Sequence, residues 1–433
     1  MFKKPNYLDP RQQAYRFSIS EPRPSLKYLL PSFEKDFQYE RGDDFIPILY
    51  PDIHGSTTYI DYQQGNFTLI IAPPGSGKTF FTRGFIGELI NSNYVIADMS
   101  SIKNNFYWSR YPIQKEFQHL LPPWRKPHPL PVVPVIPSYL SQRKSIPNGM
   151  EKIQLKISDI KVMDFIKSIL GCTEYDAPGQ LIRAVWRDSS PPASIDILLM
   201  KVSMVNKNFT GEGQVPLFQN QTISAVMRHL RILQQEGIFG EETTVNPVEI
   251  LANNQMFSLN FNGMRKPEEF HTVYMATLMR KIYEDKTNPR PRIKRRVVFV
   301  FDDMGTLACP NRSNPASKDI IINDLISLGR EHGIYIIGTT QNLSQLPQEI
   351  IPQVKHFIFF GTISGNDLDV ISKTRHMPRK RLENILMDKK YMPMQFPDGR
   401  RRVMMWSMGE GPIYGKLYAG FVPAPSSAHH TQE

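Results

Sequence analysis

An α/β fold built around a central, mainly parallel sheet is the class that this sequence predicts. Short apolar runs alternate with segments of helical periodicity, as they do in chains that form a parallel sheet covered by helices. The run Val297–Phe301 is continuous and consists of β-branched and aromatic residues, which indicates a strand covered on both faces. A glycine-rich turn at residues 73–77 joins an apolar strand to a helix, a connection typical of the same fold class.

Six apolar runs are predicted to be the buried strands of this sheet: Phe67–Ala72, Tyr94–Ala97, Met256–Asn260, Val297–Phe301, Tyr335–Gly338 and His356–Phe360. Between the second and the third run the apolar spacing is nearer to about 3.6 residues, with glycine or proline breaks. That spacing predicts helices over Ile160–Leu170, Ala193–Val205 and Thr222–Gln235. We therefore expect a mainly helical insertion within the α/β core.

These patterns divide the chain into five segments. Residues 1–65 lack clear periodicity and are predicted to be an N-terminal extension that packs on the main domain. Residues 66–150 would form the first part of the core, 151–245 the insertion, 246–422 the second part of the core, and 423–433 a disordered tail. Nine of the 36 residues from Pro112 to Pro147 are proline. This excludes a helix there and favours a rigid surface connector, or at best an edge strand, over a polyproline recognition motif.

The overall composition is that of a basic globular protein. The 433 residues include 52 Lys and Arg against 41 Asp and Glu, a formal net charge of +11, and 40% are apolar, which excludes a disordered chain. No apolar run approaches the roughly 18 residues that a transmembrane helix needs, and no signal-peptide core follows the first lysines. Two cysteines, Cys172 and Cys309, exclude a disulfide framework and a four-cysteine zinc site. We expect an intracellular protein with an acidic partner.

The glycine-rich turn matches the Walker A pattern for ATP binding, with Ala72 in the place of the first glycine. Glycines let the backbone curl around a phosphate, and the following helix adds its N-terminal dipole. An ordinary glycine-rich turn explains the full pattern and its flanking elements less well. The candidate ATP-binding residues are consecutive: Pro74, Gly75, Ser76, Gly77, Lys78 and Thr79. The Thr79 hydroxyl is also a candidate Mg²⁺ ligand.

Two acidic residues after the strongest strand form a Walker B pattern. Asp302 is the candidate second Mg²⁺ ligand, and Asp303 would orient or deprotonate the attacking water. A turn or a helix cap is the alternative explanation of this pair, since aspartate is common at both. Farther on, Gln341 ends a strand predicted to lie beside the Walker strands, where it could sense the γ-phosphate. Its alternative explanation is a polar strand end, and that of Arg330 is a charge favoured at a helix C-terminus.

These elements, in this order, resemble the HerA/FtsK superfamily of P-loop ATPases, which pump DNA through hexameric rings. The resemblance rests on Ala72–Thr79, on the strand ending in Asp98, on Val297–Asp303 and on residues 329–347, and it covers residues 65–110 and 250–375. It implies a RecA-like fold and a homo-oligomeric ring, a hexamer in the family's usual form, with Arg330 as an arginine finger on the neighbouring nucleotide. The departures are Asp303 in place of glutamate and the lack of the N-terminal membrane helices of many coupling proteins.

The positive charge is concentrated in two segments. Residues 290–296 contain five basic residues and no acid, and residues 373–402 have a net charge of +7. Sequence-independent contacts with the phosphates of duplex DNA suit such clusters, although a solvated basic face is the alternative. The candidate DNA contacts are Arg290, Arg292, Lys294, Arg295, Arg296, Arg400, Arg401 and Arg402.

Three functions remain open on the sequence. The first is an ATP-hydrolysing motor that translocates double-stranded DNA, with a capsid, nuclease or transfer-complex partner. The second is a ring ATPase of a secretion or pilus system that acts on protein. The third is a nucleotide-gated DNA-binding scaffold in which Asp303 does not activate water. For the first we expect a cytoplasmic protein, or a virion-associated one if the chain is viral.

Overall fold

The predicted parallel sheet is present and has nine strands. In this computed structural model the described residues are 45–49, 58–61, 65–74, 76, 78–101, 106–111, 115, 129–141, 149–186, 191–206, 217–261, 269–307, 316–360, 364–375, 378–380, 383 and 403–407. Eight neighbouring strands of the sheet are parallel, and the ninth is antiparallel at one edge. The fold class predicted from the sequence is therefore confirmed.

Thirteen strands are formed by the described residues. In chain order they are β1 Phe45–Leu49, β2 Thr58–Asp61, β3 Phe67–Ile71, β4 Tyr94–Ser101, β5 Val132–Pro137, β6 Glu151–Ile153, β7 Leu155–Lys156, β8 Phe239–Gly240, β9 Met256–Asn260, β10 Arg296–Phe301, β11 Ile334–Thr340, β12 His356–Phe360 and β13 Val403–Ser407. The main sheet has the order β13-β12-β3-β11-β10-β4-β9-β5-β6, and β1–β2 and β7–β8 form two small separate sheets. All six strands predicted from apolar runs are confirmed, with ends that differ by a few residues.

Helices cover both faces of the sheet. The α-helices of the described residues are α1 Lys78–Asn91, α2 Val162–Asp164, α3 Ala177–Val185, α4 Ile195–Met204, α5 Asn220–Gln235, α6 Pro247–Ala252, α7 Glu269–Thr287, α8 Met304–Leu307, α9 Ala316–Asp319 and α10 Gly365–Arg375. Two π-helical turns, Phe165–Ile169 and Ile320–Ile326, continue α2 and α9. Within the part of the chain described, no helix is long and apolar enough to span a membrane.

Strand β10 shows why the core has two halves. Its alternate residues Val298 and Val300 pack into one apolar cluster with Phe81 and Phe85 of α1. Val297, Phe299 and Phe301 face the other side of the sheet. They join a larger cluster that includes residues of α7 and of the helices of the insertion. Every residue from Val297 to Phe301 is fully buried. A continuous apolar run is what a strand needs when both of its faces are covered.

The proline-rich segment corrects one prediction. Part of it is β5, which lies inside the sheet between β9 and β6 instead of forming a surface connector or an edge strand. Pairing with β6 starts at Val135, one residue after Pro134, so the proline nitrogen interrupts no bond of that ladder. On the other side, the carbonyl of Pro131 accepts the N–H of Met256 at 2.8 Å. Pro134 is opposite Ser258 of β9, and Pro137 forms the last pair with β6. Both prolines therefore lie at or just beyond the ends of the short ladder with β6, where a missing N–H donor costs least.

The predicted helical insertion contains the three expected helical segments. Ile160–Leu170 corresponds to α2 and its π turn, Ala193–Val205 to α4, and Thr222–Gln235 to α5, while α3 was not predicted. A buried ion pair joins this part to the core: Arg280 Nη1 of α7 lies 2.8 Å from Asp164 Oδ2. Burial raises the pKa of Asp164, and the Arg280 charge opposes that shift. The five segment boundaries themselves stay a prediction, and the tail 423–433 lies outside the described residues.

Candidate nucleotide-binding site

The carboxyl ends of β3, β11 and β10 meet at one edge of the sheet, because these three strands are adjacent and parallel. The predicted phosphate-binding loop leaves β3 at this edge. Its first residue, Ala72, donates its backbone N–H to the carbonyl oxygen of Thr340 at 3.0 Å. Helix α1 then begins at Lys78. The N–H groups and the dipole at such a helix start favour a bound phosphate.

The described part of the loop has polar groups oriented for a ligand. Pro74 is exposed, and Ser76 is half-buried with its N–H donating to the Pro73 carbonyl at 3.2 Å. The Ser76 hydroxyl oxygen is buried and has no hydrogen-bond partner among the residues that the structure describes. Buried hydroxyls normally have a partner, and a phosphate oxygen would supply one. Gly75 and Gly77 lie outside the described residues, so their part in binding stays a prediction.

Lys78 and Asp302 come together although 224 positions separate them in the sequence. Lys78 Nζ lies 3.5 Å from Asp302 Oδ1, with 15% and 17% of the two side chains exposed. Thr79, the next residue of α1, is half-buried at the same helix start. The predicted phosphate-binding lysine and the predicted metal-binding carboxylate therefore share one site.

Thr339 of β11 holds the two aspartates that follow β10. Its hydroxyl donates to Asp302 Oδ1 at 2.9 Å and accepts the backbone N–H of Asp303 at 2.8 Å. Asp303 has a φ of 59°, in the left-handed region that few residues other than glycine adopt. Aspartate tolerates this conformation better than most residues do. The chain thus turns sharply directly after Asp302.

Gln341 follows the last residue of β11 and is half-buried. Its neighbour Thr340 accepts from Ala72 of the loop, and Thr339 contacts Asp302. The structure therefore brings Gln341 to the same edge as the loop and the Walker B residues. Its role as a γ-phosphate sensor remains a prediction.

Arg330 lies at the opposite end of the strands, where β11 begins. It belongs to the short helical turn Gly329–His332, which precedes β11, and its side chain is exposed. Strand β11 is seven residues long, about 23 Å at the usual rise of a parallel strand. Arg330 is therefore too far from Lys78 and Asp302 to act on a nucleotide bound to its own subunit.

The basic segment of residues 290–296 lies at the same edge as Arg330. It leads into β10, and the N–H of Val297 donates to the Gly333 carbonyl at 2.9 Å. Within the described part of the chain, Arg292 pairs with Glu249 at 3.4 Å, and Arg296 Nη1 donates to the Tyr94 hydroxyl at 3.2 Å. Arg295 is half-buried, whereas Arg290 and Lys294 are exposed. The other candidate DNA contacts, Arg400, Arg401 and Arg402, lie outside the described residues.

Sequence reasoning gave no role to Arg83, the buried arginine of α1. It is 2% exposed, and its guanidinium carbon lies 5.9 Å from the centre of the Phe106 ring. Burial lowers the pKa of Arg83 to about 10, and the charges of Asp302 and Asp98 oppose that shift. Asp98 is itself fully buried and accepts the Ser258 hydroxyl at 2.6 Å. The signal in the sequence that could have indicated its burial is its position among apolar helix residues, five positions after Lys78.

The residues present fit ATP and Mg²⁺. A hydroxyl from Thr79 and a carboxylate from Asp302 are the oxygen donors that Mg²⁺ takes, and nucleotide phosphates and water normally complete its shell. No group of three or more His, Cys, Asp or Glu side chains that could hold a metal occurs among the described residues.

Comparison with solved structures finds chains of similar fold. VirB4 of Thermoanaerobacter pseudethanolicus matches with a TM-score of 0.52 and 11% sequence identity, over 87% of this chain and 96% of that chain. The plasmid coupling protein TrwB in complex with ADP and Mg²⁺ matches with a TM-score of 0.46 and 12% identity, over 82% of each chain. The genome packaging NTPase B204 from Sulfolobus turreted icosahedral virus 2 matches with a TM-score of 0.35 and 9% identity, over 79% of this chain and 91% of that chain.

No protein-family model and no curated protein sequence matches the chain. At 11% identity the likeness to VirB4 establishes the fold alone. The RecA-like P-loop NTPase fold that the sequence resemblance implied is therefore confirmed, and so is the resemblance to HerA/FtsK-type ATPases at the level of the fold.

Proposed function

We propose that the protein is an ATP-hydrolysing motor that translocates double-stranded DNA as a ring of identical subunits. The observation that carries the proposal is the meeting of Lys78 with Asp302, at the edge of the sheet where the loop, the Walker B turn and Gln341 also lie. Ligands of open parallel sheets bind at the carboxyl ends of the strands. A phosphate-binding lysine beside a metal-binding carboxylate is the arrangement that phosphoryl transfer needs.

Each residue of the site has one task in this proposal. Residues 74–79 bind the phosphates, with Lys78 placing its charge on the β- and γ-phosphates and Thr79 and Asp302 holding Mg²⁺. Bound Mg²⁺ would supply positive charge that offsets the charge of the transferred phosphoryl group. Asp303 orients water for attack on the γ-phosphorus and accepts its proton as the bond to the ADP oxygen breaks. Gln341 contacts the γ-phosphate and reports its loss.

The position of Arg330 supports a ring. An arginine that neutralises the developing γ-phosphoryl charge speeds hydrolysis. Arg330, however, lies at the opposite end of the strands from the nucleotide site of its own subunit. In a ring of identical subunits, a heterologous contact brings the far edge of one subunit to the nucleotide of the next. Hydrolysis would then depend on assembly, and a hexamer is the ring that the sequence resemblance implies.

Duplex DNA is the proposed substrate because of the basic segment of residues 290–296. Exposed basic side chains such as Arg290 and Lys294 suit contacts with phosphates, which position DNA without reading its sequence. The destination of the DNA depends on whether the motor works with a capsid, a nuclease or a transfer complex. The proposed location is the cytoplasm, or the virion if the chain is viral.

Duplex DNA is expected to raise the rate of ATP hydrolysis, and a variant with Arg290, Lys294 and Arg295 changed to alanine should lose this stimulation. Each lost phosphate contact should also lower the salt slope of DNA binding by about 1. The measurements are steady-state ATPase assays and fluorescence anisotropy with a linear duplex at several salt concentrations. The matched control changes Lys152, Arg228 and Arg231, which are exposed basic residues of the insertion, to alanine.

The outcomes separate the three functions. Turnover that is unaffected by duplex DNA contradicts the motor and favours a ring ATPase that acts on protein. DNA binding without any hydrolysis by the wild-type protein favours the scaffold. Equal DNA affinity of the triple variant and the wild-type protein means that the basic segment is only a solvated face.

A further inference from the structure

Thr339 has both of its hydrogen-bonding functions engaged at the Walker B turn. It is fully buried near the end of β11, and its hydroxyl donates to Asp302 Oδ1 at 2.9 Å. The same oxygen accepts the N–H of Asp303 at 2.8 Å. A hydroxyl carries one proton to donate, and Thr339 gives it to the carboxylate. This fixes the side chain of one aspartate and the backbone of the other.

The two bonds help to set the orientation of both aspartates. The carboxylate of Asp302 can rotate, and the contact with Thr339 selects one orientation of Oδ1, the same oxygen that lies 3.5 Å from Lys78 Nζ. Asp303 occupies the left-handed region with a φ of 59°, which costs free energy unless neighbouring contacts support it. The bond from its N–H to Thr339 is such a contact.

Thr339 also joins the Walker B turn to the strand that ends in Gln341. The next residue, Thr340, accepts the N–H of Ala72 at the start of the phosphate-binding loop. Thr339 and Thr340 of β11 therefore contact the metal-binding carboxylate and the loop backbone, and the predicted sensor Gln341 follows them directly. A displacement of the strand end on loss of the γ-phosphate would be transmitted directly to Asp302.

We propose that Thr339 is a positioning residue that holds Asp302 and Asp303 in place for Mg²⁺ binding and hydrolysis, and that it couples them to the strand carrying Gln341. This inference rests on the proposed ATPase function. Thr339 belongs to neither Walker motif, because it lies on the separate strand β11. Residues that orient metal ligands through hydrogen bonds typically change metal affinity or activity 10- to 100-fold when they are replaced.

The test compares Thr339→Val, which keeps the shape and removes the hydroxyl, with Thr339→Ser, which keeps the hydroxyl. The matched control is Thr68→Val on the adjacent strand β3, where the buried hydroxyl has no partner among the described residues. Two properties are measured: the affinity for Mn²⁺ of the ADP-bound protein, by electron paramagnetic resonance, and the steady-state kcat and KM for ATP at varied Mg²⁺.

For Thr339→Val we expect Mn²⁺ binding about 10- to 100-fold weaker and a similarly lower kcat, with little change in ADP affinity measured without metal. Thr339→Ser should restore both properties, and Thr68→Val should match the wild type. If Thr339→Val is less thermostable than Thr68→Val, Thr339→Ala replaces it, with the same expected result.

Wild-type metal affinity and kcat in the variants that lack the hydroxyl would overturn the proposal. So would a serine variant as impaired as the valine variant, because the shape of the side chain and not its hydroxyl would then matter. A wild-type protein that binds no ADP or ATP would instead refute the proposed function itself, which makes the two failures distinguishable.

Discussion

Replacing Lys78 with alanine is expected to lower ATP turnover by roughly 100- to 1,000-fold and to weaken nucleotide binding severely. The removal of one group aimed at developing charge costs about this much in enzymes that stabilise a transition state electrostatically. Lys78 is the first residue of α1 and lies 3.5 Å from Asp302, so its charge acts where the phosphates and the metal would meet. The measurements are isothermal titration calorimetry with ATP and a steady-state hydrolysis assay.

The control for this variant is Lys152→Ala. Lys152 is an exposed lysine of β6, at the edge of the sheet, and the change removes the same charge. We expect wild-type binding and turnover from it. Similar behaviour of the two lysine variants would mean that the loop at residues 74–79 does not bind the nucleotide.

Replacing Arg330 with alanine is expected to lower turnover by about 1,000-fold or more while nucleotide binding is retained. Arginine fingers supply accelerations of about this size, because they neutralise charge that develops only in the transition state. Arg330 is exposed near the amino end of β11, remote from Lys78 of its own subunit. Its loss should therefore leave the affinity for ATP unchanged. Binding and hydrolysis are measured as for Lys78, with Arg231→Ala in the insertion as the control for a lost exposed arginine.

Mixing the two inactive variants tests whether Arg330 acts on a neighbouring subunit. A ring that contains both subunits has interfaces where an intact loop, on the Arg330→Ala subunit, meets an intact Arg330 on the Lys78→Ala subunit. We expect part of the wild-type turnover to return at those interfaces. Mixed rings that form but hydrolyse no ATP would contradict action in trans, and an Arg330→Ala protein with normal turnover would exclude Arg330 from catalysis.

Much of the architecture could be predicted because burial on two faces leaves a strong local pattern. Val297–Phe301 is continuous, β-branched and aromatic, and all five residues are fully buried in the sheet. The pairing of Lys78 with Asp302 could also be anticipated, since parallel strands bring their carboxyl ends to one edge. The same reasoning placed Gln341 beside them.

The remainder depends on tertiary contacts that leave no local pattern. Thr339 is an ordinary β-branched strand residue in the sequence, and only the pairing of β11 with β10 brings it to Asp302. Arg83 is buried beside acidic residues that are distant along the chain. The segment Val132–Pro137 contains prolines that argue against an interior strand. Only the register shows that they lie at or just beyond the ends of the short ladder with β6.

The most direct test of the account is the movement of DNA itself. A linear duplex carrying a triplex-forming oligonucleotide is incubated with the protein and ATP, and release of the oligonucleotide is followed by fluorescence. We predict release by the wild-type protein that requires hydrolysable ATP and is absent with the Lys78→Ala variant. Hydrolysis of ATP on this duplex without any release of the oligonucleotide would contradict the account of a DNA-translocating motor.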